Sequence, residues 1–410
     1  MSNHHPFTIA IPDSDIVVLK QKLALTRLPD EIEQSGWNYG VPLSDIRRLL
    51  ARWEDGYDWR IYEAQINRLS QFTCDIYVDG FETLRVHYVH EQSKSQHAIP
   101  LLIVHGWPGH FLEAKKILPL LTATSPTYPS FHVVVLGLPN FGFSQGTTKK
   151  GFELVQYAEV AHKLMVSIGY NEYVTYGGDW GYHITRMMAH MYGLRHVKAW
   201  HTTMPIGEQP RFTSNPFLRV RYMLTPFSNQ DLEGFSRSMW FRKRGRGYLA
   251  EQSTQPQTLG YLLADSPVGL LAWIYEKLVT WTDHYQWTDD EVLTWVSIYW
   301  FSCAGPAAST RIYFEVANGA GFRNIPQVTS IPMGVSYFPK ELTVLPKLWT
   351  RTIGSVVFES EHKFGGHFAM YERPDELASD IRRMFGKGGP AYGVVRGNHG
   401  FDDALASSKL

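Results

Sequence analysis

An aspartate at a sharp turn is the residue of this sequence best suited to chemistry. Residues 177–181 read Gly-Gly-Asp-Trp-Gly, after a strand candidate at residues 173–176 and before a stretch whose apolar residues have helical spacing. A strand-to-helix turn with flanking glycines is typical of a nucleophile elbow, where a tight backbone projects one side chain off the sheet. At this position Asp179 is a carboxylate nucleophile, which needs no activating base at neutral pH and forms esters with carbon electrophiles. The alternative role for Asp179 is that of a helix N-cap.

A second match to an elbow pattern is centred on Ser144. Residues 142–146 read Gly-Phe-Ser-Gln-Gly, but Pro139 already ends the strand before them and residues 147–151 do not begin a helix. The elbow needs strand, turn and helix in immediate succession. We therefore do not expect Ser144 to be a nucleophile.

A histidine and an acid follow the aspartate in the chain order nucleophile, acid, histidine. His367 lies in the sequence Phe-Gly-Gly-His-Phe just before the last predicted helix, whereas His362 is expected at the surface. Glu341 follows the strand candidate at residues 334–338, where the acid that orients the histidine should lie. The alternative for Glu341 is an exposed loop carboxylate.

Two backbone N–H groups near the elbow are candidates for an oxyanion hole. Residues 105–109 read His-Gly-Trp-Pro-Gly and follow the first core strand, at residues 101–104. In the elbow architecture this loop supplies one backbone N–H, and the residue after the nucleophile supplies the other. We expect Trp107 and Trp180 to be the donors, and His105 to be a structural residue that orients the loop.

The elements that must position these residues divide the chain into five predicted segments. Short apolar strands alternating with amphipathic helices are typical of an α/β fold with a mostly parallel central sheet flanked by helices. An aromatic-rich helical insertion interrupts that pattern, and ligands of such folds bind between the core and the insertion. The predicted segments are an N-terminal helical arm ending in a hairpin at Asp79-Gly80, residues 1–95; the first part of the core, residues 96–205; a helical lid, residues 206–325; the second part of the core, residues 326–386; and a flexible C-terminal tail, residues 387–410.

Composition excludes several classes of protein. The 410 residues are 44% hydrophobic and 14% aromatic with zero net charge, which excludes disorder and argues against partners such as nucleic acid or an anionic membrane. A basic run at residues 242–246 is expected to be a solvated loop. Two cysteines are too few for a disulfide framework, and the chain shows neither a signal segment nor an apolar run long enough to span a membrane. We therefore expect a soluble, cytoplasmic protein.

Four motifs together resemble the epoxide hydrolases of the α/β-hydrolase fold, in their microsomal-type and fungal soluble branch. The motifs are His-Gly-Trp-Pro-Gly, Gly-Gly-Asp-Trp-Gly, Phe-Pro-Lys-Glu-Leu and Phe-Gly-Gly-His-Phe. Residues 37–40 and Trp53 also resemble the N-terminal arm that wraps the core in that branch, so the resemblance covers nearly the whole chain. It implies an α/β-hydrolase fold, an epoxide and water as reactants, no metal or organic cofactor, and at family level a homodimer formed through the lid.

The resemblance also implies two lid tyrosines and a reaction. Residues 247–256 and 311–315 resemble the motifs that hold the family's tyrosines, which implies Tyr248 and Tyr313. The implied reaction converts apolar epoxides to vicinal diols through an ester on Asp179, with the tyrosines as acids and a water activated by His367 and Glu341. Membrane-anchored relatives begin with a transmembrane segment that this sequence lacks, so the resemblance favours a soluble enzyme.

Two other functions remain compatible with the same residues. A haloalkane dehalogenase uses the same elbow aspartate, but it commonly has an asparagine where Trp107 stands. A non-catalytic binding protein on this scaffold would be expected to have lost part of the triad.

Overall fold

The computed structural model describes residues 4–319 and 325–402. Its strands are β1 His4–Pro6, β2 Gln71–Tyr77, β3 Thr83–Glu91, β4 Ile99–Val104, β5 Phe131–Leu136, β6 Tyr173–Gly177, β7 Val197–Thr202, β8 Val328–Tyr337 and β9 Gly354–Glu361. Its helices are α1 Asp13–Ala24, α2 Leu43–Glu54, α3 Trp59–Ile66, α4 Leu118–Thr122, α5 Leu154–Ser167, α6 Trp180–Tyr192, α7 Pro216–Leu224, α8 Asn229–Trp240, α9 Gly247–Thr254, α10 Pro256–Asp265, α11 Pro267–Thr280, α12 Asp289–Trp300, α13 Arg311–Asn318, α14 Lys347–Thr350, α15 Ala369–Glu372 and α16 Pro374–Phe385. In this part of the chain no helix combines the length and the apolar character needed to span a membrane.

All strands belong to one sheet, in the order β1-β2-β3-β5-β4-β6-β7-β8-β9. The strands from β5 to β9 in that order are parallel, and β1 to β3 form an antiparallel edge that joins the sheet at β5. Every residue of β4 is buried, because helices cover both faces of the central parallel strands. The predicted mostly parallel sheet flanked by helices is confirmed.

The N-terminal arm packs its helices against lid helices. The buried face of α2 consists of Ile46, Leu49, Leu50 and Trp53, which is the apolar stripe visible in the sequence. The Tyr57 hydroxyl lies 3.1 Å from Thr294 Oγ1 in α12. The hairpin is also confirmed, because Tyr77 pairs with Thr83 across the Asp79-Gly80 turn. The arm therefore supports the lid as well as the sheet edge.

The insertion between β7 and β8 is helical, from α7 to α13. The basic run within it is not a loop as expected, because Phe241–Gly245 form a π-helical turn that continues α8. Its charged side chains, Arg242, Lys243 and Arg244, are exposed while Phe241 is buried, so burial of one aromatic ring orders the turn. Residues 320–324 of the predicted lid lie outside the described residues.

The expected flexible tail is wrong for residues 387–402, which pack against the core. Ala391, Val395 and Phe401 are buried, with Phe401 only 4% exposed. The Gly400 carbonyl accepts a hydrogen bond of 2.7 Å from the Ser130 amide, just before β5. Apolar anchors spaced along a glycine-rich segment hold it at the amino ends of the strands, and composition alone did not reveal this. Residues 403–410 lie outside the described residues.

We predict that Phe401→Ala lowers the free energy of unfolding by about 3 kcal/mol, because it deletes a buried aromatic ring. Urea denaturation measures the change. The matched control is Phe217→Ala, at a side chain 90% exposed, which should change stability by less than about 0.5 kcal/mol. Equal effects of the two substitutions would contradict the packing of the C-terminal segment.

Candidate active site

The elbow forms where β6 ends at Gly177 and α6 begins at Trp180. Asp179 between them has φ +50° and ψ −126°, a conformation that is costly for a non-glycine residue and common at functional sites. A Cβ on Gly181 would lie 1.9 Å from the Val104 carbonyl oxygen, so the tight crossing requires glycine there. The Asp179 side chain makes no capping hydrogen bond to α6. Its Oδ1 instead accepts a hydrogen bond of 2.7 Å from the backbone N–H of Trp107, so the N-cap alternative is wrong.

Lid residues hold the loop of residues 105–109 in place. Trp295 Nε1 donates to the Pro108 carbonyl, and the Tyr299 hydroxyl donates to the Gly109 carbonyl, each at 2.6 Å. His105 Nδ1 donates to the neighbouring Gly106 carbonyl at 3.0 Å, in agreement with the structural role expected for it. The oxyanion-hole candidate Trp107 is thus fixed from the core and from the lid.

His367 lies between two carboxylates. Its Nδ1 is 2.5 Å from Glu341 Oε1, and its Nε2 is 3.4 Å from Asp179 Oδ2. Glu341 is 2% exposed, so it is not the exposed loop carboxylate of the alternative. The backbone N–H of His367 also donates to the Trp281 carbonyl at 2.8 Å, which joins the histidine loop to the lid.

The two carboxylates control the charge of this histidine. Burial by itself would lower the pKa of His367, but the charge of Glu341 and the hydrogen bond and charge of Asp179 outweigh it and raise the pKa to about 10. His367 is therefore an imidazolium in the resting site at neutral pH. Loss of either negative charge would lower its pKa.

Tyr248 and Tyr313 come from α9 and α13 and meet above the elbow. The Tyr248 ring stacks on Trp107 with centroids 5.1 Å apart, and the Tyr313 ring meets Trp180 edge to face at 4.8 Å. The two tyrosine rings lie 5.8 Å apart. Burial first, and the charge of Asp179 further, raise the pKa of both hydroxyls well above 10, so both stay protonated. The buried Tyr313 hydroxyl has no hydrogen-bond partner of ordinary geometry among the described residues, although Tyr248 is near enough to affect its pKa.

The structure brings together all the residues that the sequence placed in the site and separates the two that it set aside. The backbone N–H of Trp180 lies in the first turn of α6, where amides have no helical acceptor. Ser144 is buried elsewhere and donates to the Gly137 carbonyl at 2.7 Å. His362 is also outside the site, but its expected surface position is wrong. It is 14% exposed, stacks on Phe338 and lies 2.6 Å from Asp380 Oδ2.

Two residues of the site were not identified from the sequence. Trp281 has its ring 5.0 Å from His367 and 5.1 Å from Tyr248, yet its spacing indicated only a lid aromatic. Glu113 is a carboxylate in an otherwise apolar turn, Phe111–Ala114, one residue after the loop of residues 105–109. A carboxylate among apolar neighbours was the only local signal for it.

The fold and this site define an α/β-hydrolase-fold enzyme whose elbow carries an aspartate. A family model described as the epoxide hydrolase N terminus matches residues 4–114, and one described as the alpha/beta hydrolase fold matches residues 99–242. Epoxide hydrolase 1 of Sus scrofa is 33% identical over 408 residues, which is 93% of this chain and 88% of that protein.

Two solved structures extend the similarity. The Aspergillus niger epoxide hydrolase has a TM-score of 0.80 at 33% identity, covering 92% of this chain and 94% of the other. The juvenile hormone epoxide hydrolase of the silkworm Bombyx mori has a TM-score of 0.83 at 27% identity, covering 93% of each chain. The chain belongs to the epoxide hydrolase family, and its activity is the hydrolysis of epoxides.

We predict that Asp179→Asn lowers the pKa of His367 below about 10, because a neutral amide removes one of the charges that raise it. Titration of histidine-labelled protein by NMR measures the value. Asp380→Asn is the matched control, since Asp380 contacts His362 and should leave His367 unchanged. An unchanged His367 titration in Asp179→Asn would contradict this electrostatic account.

Proposed function

We propose that the enzyme opens epoxides to vicinal diols in two covalent steps, with Asp179 as nucleophile and His367 as base. The observation that carries this proposal is that the two oxygens of Asp179 have different neighbours. Oδ1 accepts a hydrogen bond from Trp107, while Oδ2 lies 3.4 Å from His367 Nε2 and is available for attack. Such a carboxylate is already oriented for both steps.

The first step alkylates the aspartate. Asp179 Oδ2 forms a bond to an epoxide carbon, the ring C–O bond breaks, and its electron pair goes to the ring oxygen. Tyr248 or Tyr313 donates a proton to that oxygen, a role supported by their protonated state and by their position above the elbow. Aromatic rings around the site suit an apolar epoxide, and their burial excludes water from the developing charge.

The second step hydrolyses the ester. The first step leaves the donating tyrosine as a tyrosinate. Alkylation also removes the negative charge of Asp179, which lowers the pKa of His367, so the histidine gives up its proton, the tyrosinate is reprotonated, and His367 becomes a base. It takes a proton from water, and the water oxygen attacks Asp179 Cγ. Negative charge then develops on Oδ1, where the Trp107 N–H already donates and the Trp180 N–H completes the oxyanion hole. The tetrahedral intermediate collapses, and the departing alkoxide takes the proton from His367.

We predict that the first-turnover diol carries an oxygen from the enzyme. In a single turnover in heavy-oxygen water with enzyme in excess, the diol should be unlabelled and Asp179 should gain the label. Mass spectrometry of the diol and of the peptide containing Asp179 measures both. A labelled diol in the first turnover would exclude the covalent scheme in favour of direct attack by water.

We predict that Tyr248→Phe and Tyr313→Phe each slow alkylation by about 10²-fold, because each removes one proton donor to the opening oxygen. Single-turnover kinetics measure the rate, and the double variant should be slower than either single variant. Tyr392→Phe is the matched control, at an exposed tyrosine far from the site. Unchanged alkylation in the double variant would assign proton donation to another group.

A further inference from the structure

The Glu113 carboxylate lies against the loop of residues 105–109, which has room for it at a glycine. A Cβ on Gly109 would lie 2.4 Å from Glu113 Oε2. In the same loop, a Cβ on Gly106 would lie 2.2 Å from Asp179 Oδ1. The two glycines of this loop therefore each accommodate one carboxylate, and Glu113 is near enough to Asp179 and His367 to interact with both electrostatically.

The Glu113 carboxylate has no hydrogen-bond donor among the described residues, and the residue is only partly exposed. Glu341, by contrast, is hydrogen-bonded to His367. Polar groups with little exposure are usually hydrogen-bonded, so the Glu113 carboxyl is available to bind a water or a reactant. Titratable groups that interact electrostatically with Glu113 are Asp179, His367, Glu341, Tyr176 and Tyr299.

The surroundings keep this carboxyl largely uncharged in the resting enzyme. Burial is the main cause that raises the pKa of Glu113 to about 8, the charge of His367 opposes it, and Asp179 and Glu341 add to it. An uncharged acid does not compete with Asp179 for the charge of His367. It still accepts a hydrogen bond through its carbonyl oxygen, which is what a bound water needs.

We propose that Glu113 is a positioning residue for the water that hydrolyses the ester. This inference rests on the two-step reaction proposed above. The water donates one hydrogen bond to His367 Nε2 and the other to the Glu113 carboxyl, which directs its lone pair at Asp179 Cγ. The proton that leaves the water goes to His367 and then to the departing alkoxide, so Glu113 neither gains nor loses a proton.

Separate measurement of the two steps tests this role. Stopped-flow tryptophan fluorescence follows alkylation and hydrolysis, because Trp107 and Trp180 adjoin the reacting carboxylate. Glu113→Leu should slow hydrolysis by about 10²-fold through misplacement of the water, and the ester should accumulate. Alkylation should stay within a factor of about two. Glu113→Gln keeps a hydrogen-bond acceptor and should recover about tenfold of the lost hydrolysis rate.

A second variant tests the geometry without touching the acid. Gly109→Ala should push the Glu113 carboxylate away and slow hydrolysis in the same direction as Glu113→Leu. Glu63→Gln is the matched control, because Glu63 is a buried carboxylate of the arm that is paired with Arg60. It should leave both rates unchanged. Thermal unfolding of each variant separates an effect on the site from loss of the fold.

The outcomes distinguish this inference from the proposed reaction. If the ester forms normally and hydrolyses at the wild-type rate in both Glu113 variants, Glu113 does not position the water. The proposed two-step reaction would be unaffected by that result. Equal losses in alkylation and hydrolysis would also overturn the role of Glu113, since a water-positioning residue acts only in the second step. Absence of any covalent ester in the wild-type enzyme would instead overturn the two-step reaction itself.

Discussion

The hydrogen bond from the Trp107 amide to Asp179 Oδ1 joins the two loops on which the rest of the site is built. It forms because the elbow holds Asp179 in a left-handed conformation and because Gly106 leaves room for the carboxylate. In the proposed reaction, the same bond selects which oxygen is free to attack and which carries the charge of the tetrahedral intermediate. Lid contacts from Trp295 and Tyr299 then prevent the loop from moving away from the elbow.

Charge balance is the second constraint on this site. A buried carboxylate is costly unless it is paired, and His367 pairs with both Glu341 and Asp179. The arrangement stabilises the imidazolium while Asp179 is free and withdraws that stabilisation when Asp179 becomes an ester. In the proposed reaction, the charge of Asp179 therefore keeps His367 protonated in the first half-reaction, and its loss makes His367 a base in the second. A further anion at Glu113 would disturb this balance, which is why its uncharged state matters.

The high aromatic content of the chain serves the site as well as the core. One connected set of aromatic rings lies over the elbow and consists of Trp107, Tyr248, Tyr313, Trp180 and Trp281. Rigid rings hold the two hydroxyls in place at little cost in conformational entropy, and they make the space above the elbow largely apolar. The arm packs on the lid helices that supply these rings, so it contributes to the site without touching the reacting groups.

The sequence by itself determined the alternating strands and helices, the hairpin, the elbow and the helix Pro374–Phe385, because these depend on periodicity and on glycines or prolines a few residues away. The candidate histidine and acid followed from their order along the chain, whereas the lid tyrosines needed the family resemblance. Only the tertiary structure decided how Tyr299 reaches Gly109 across 190 residues, why Phe401 anchors the C-terminal segment, and which side chains surround Glu113. Such contacts join residues that are distant along the chain, and no local spacing encodes which of them will meet.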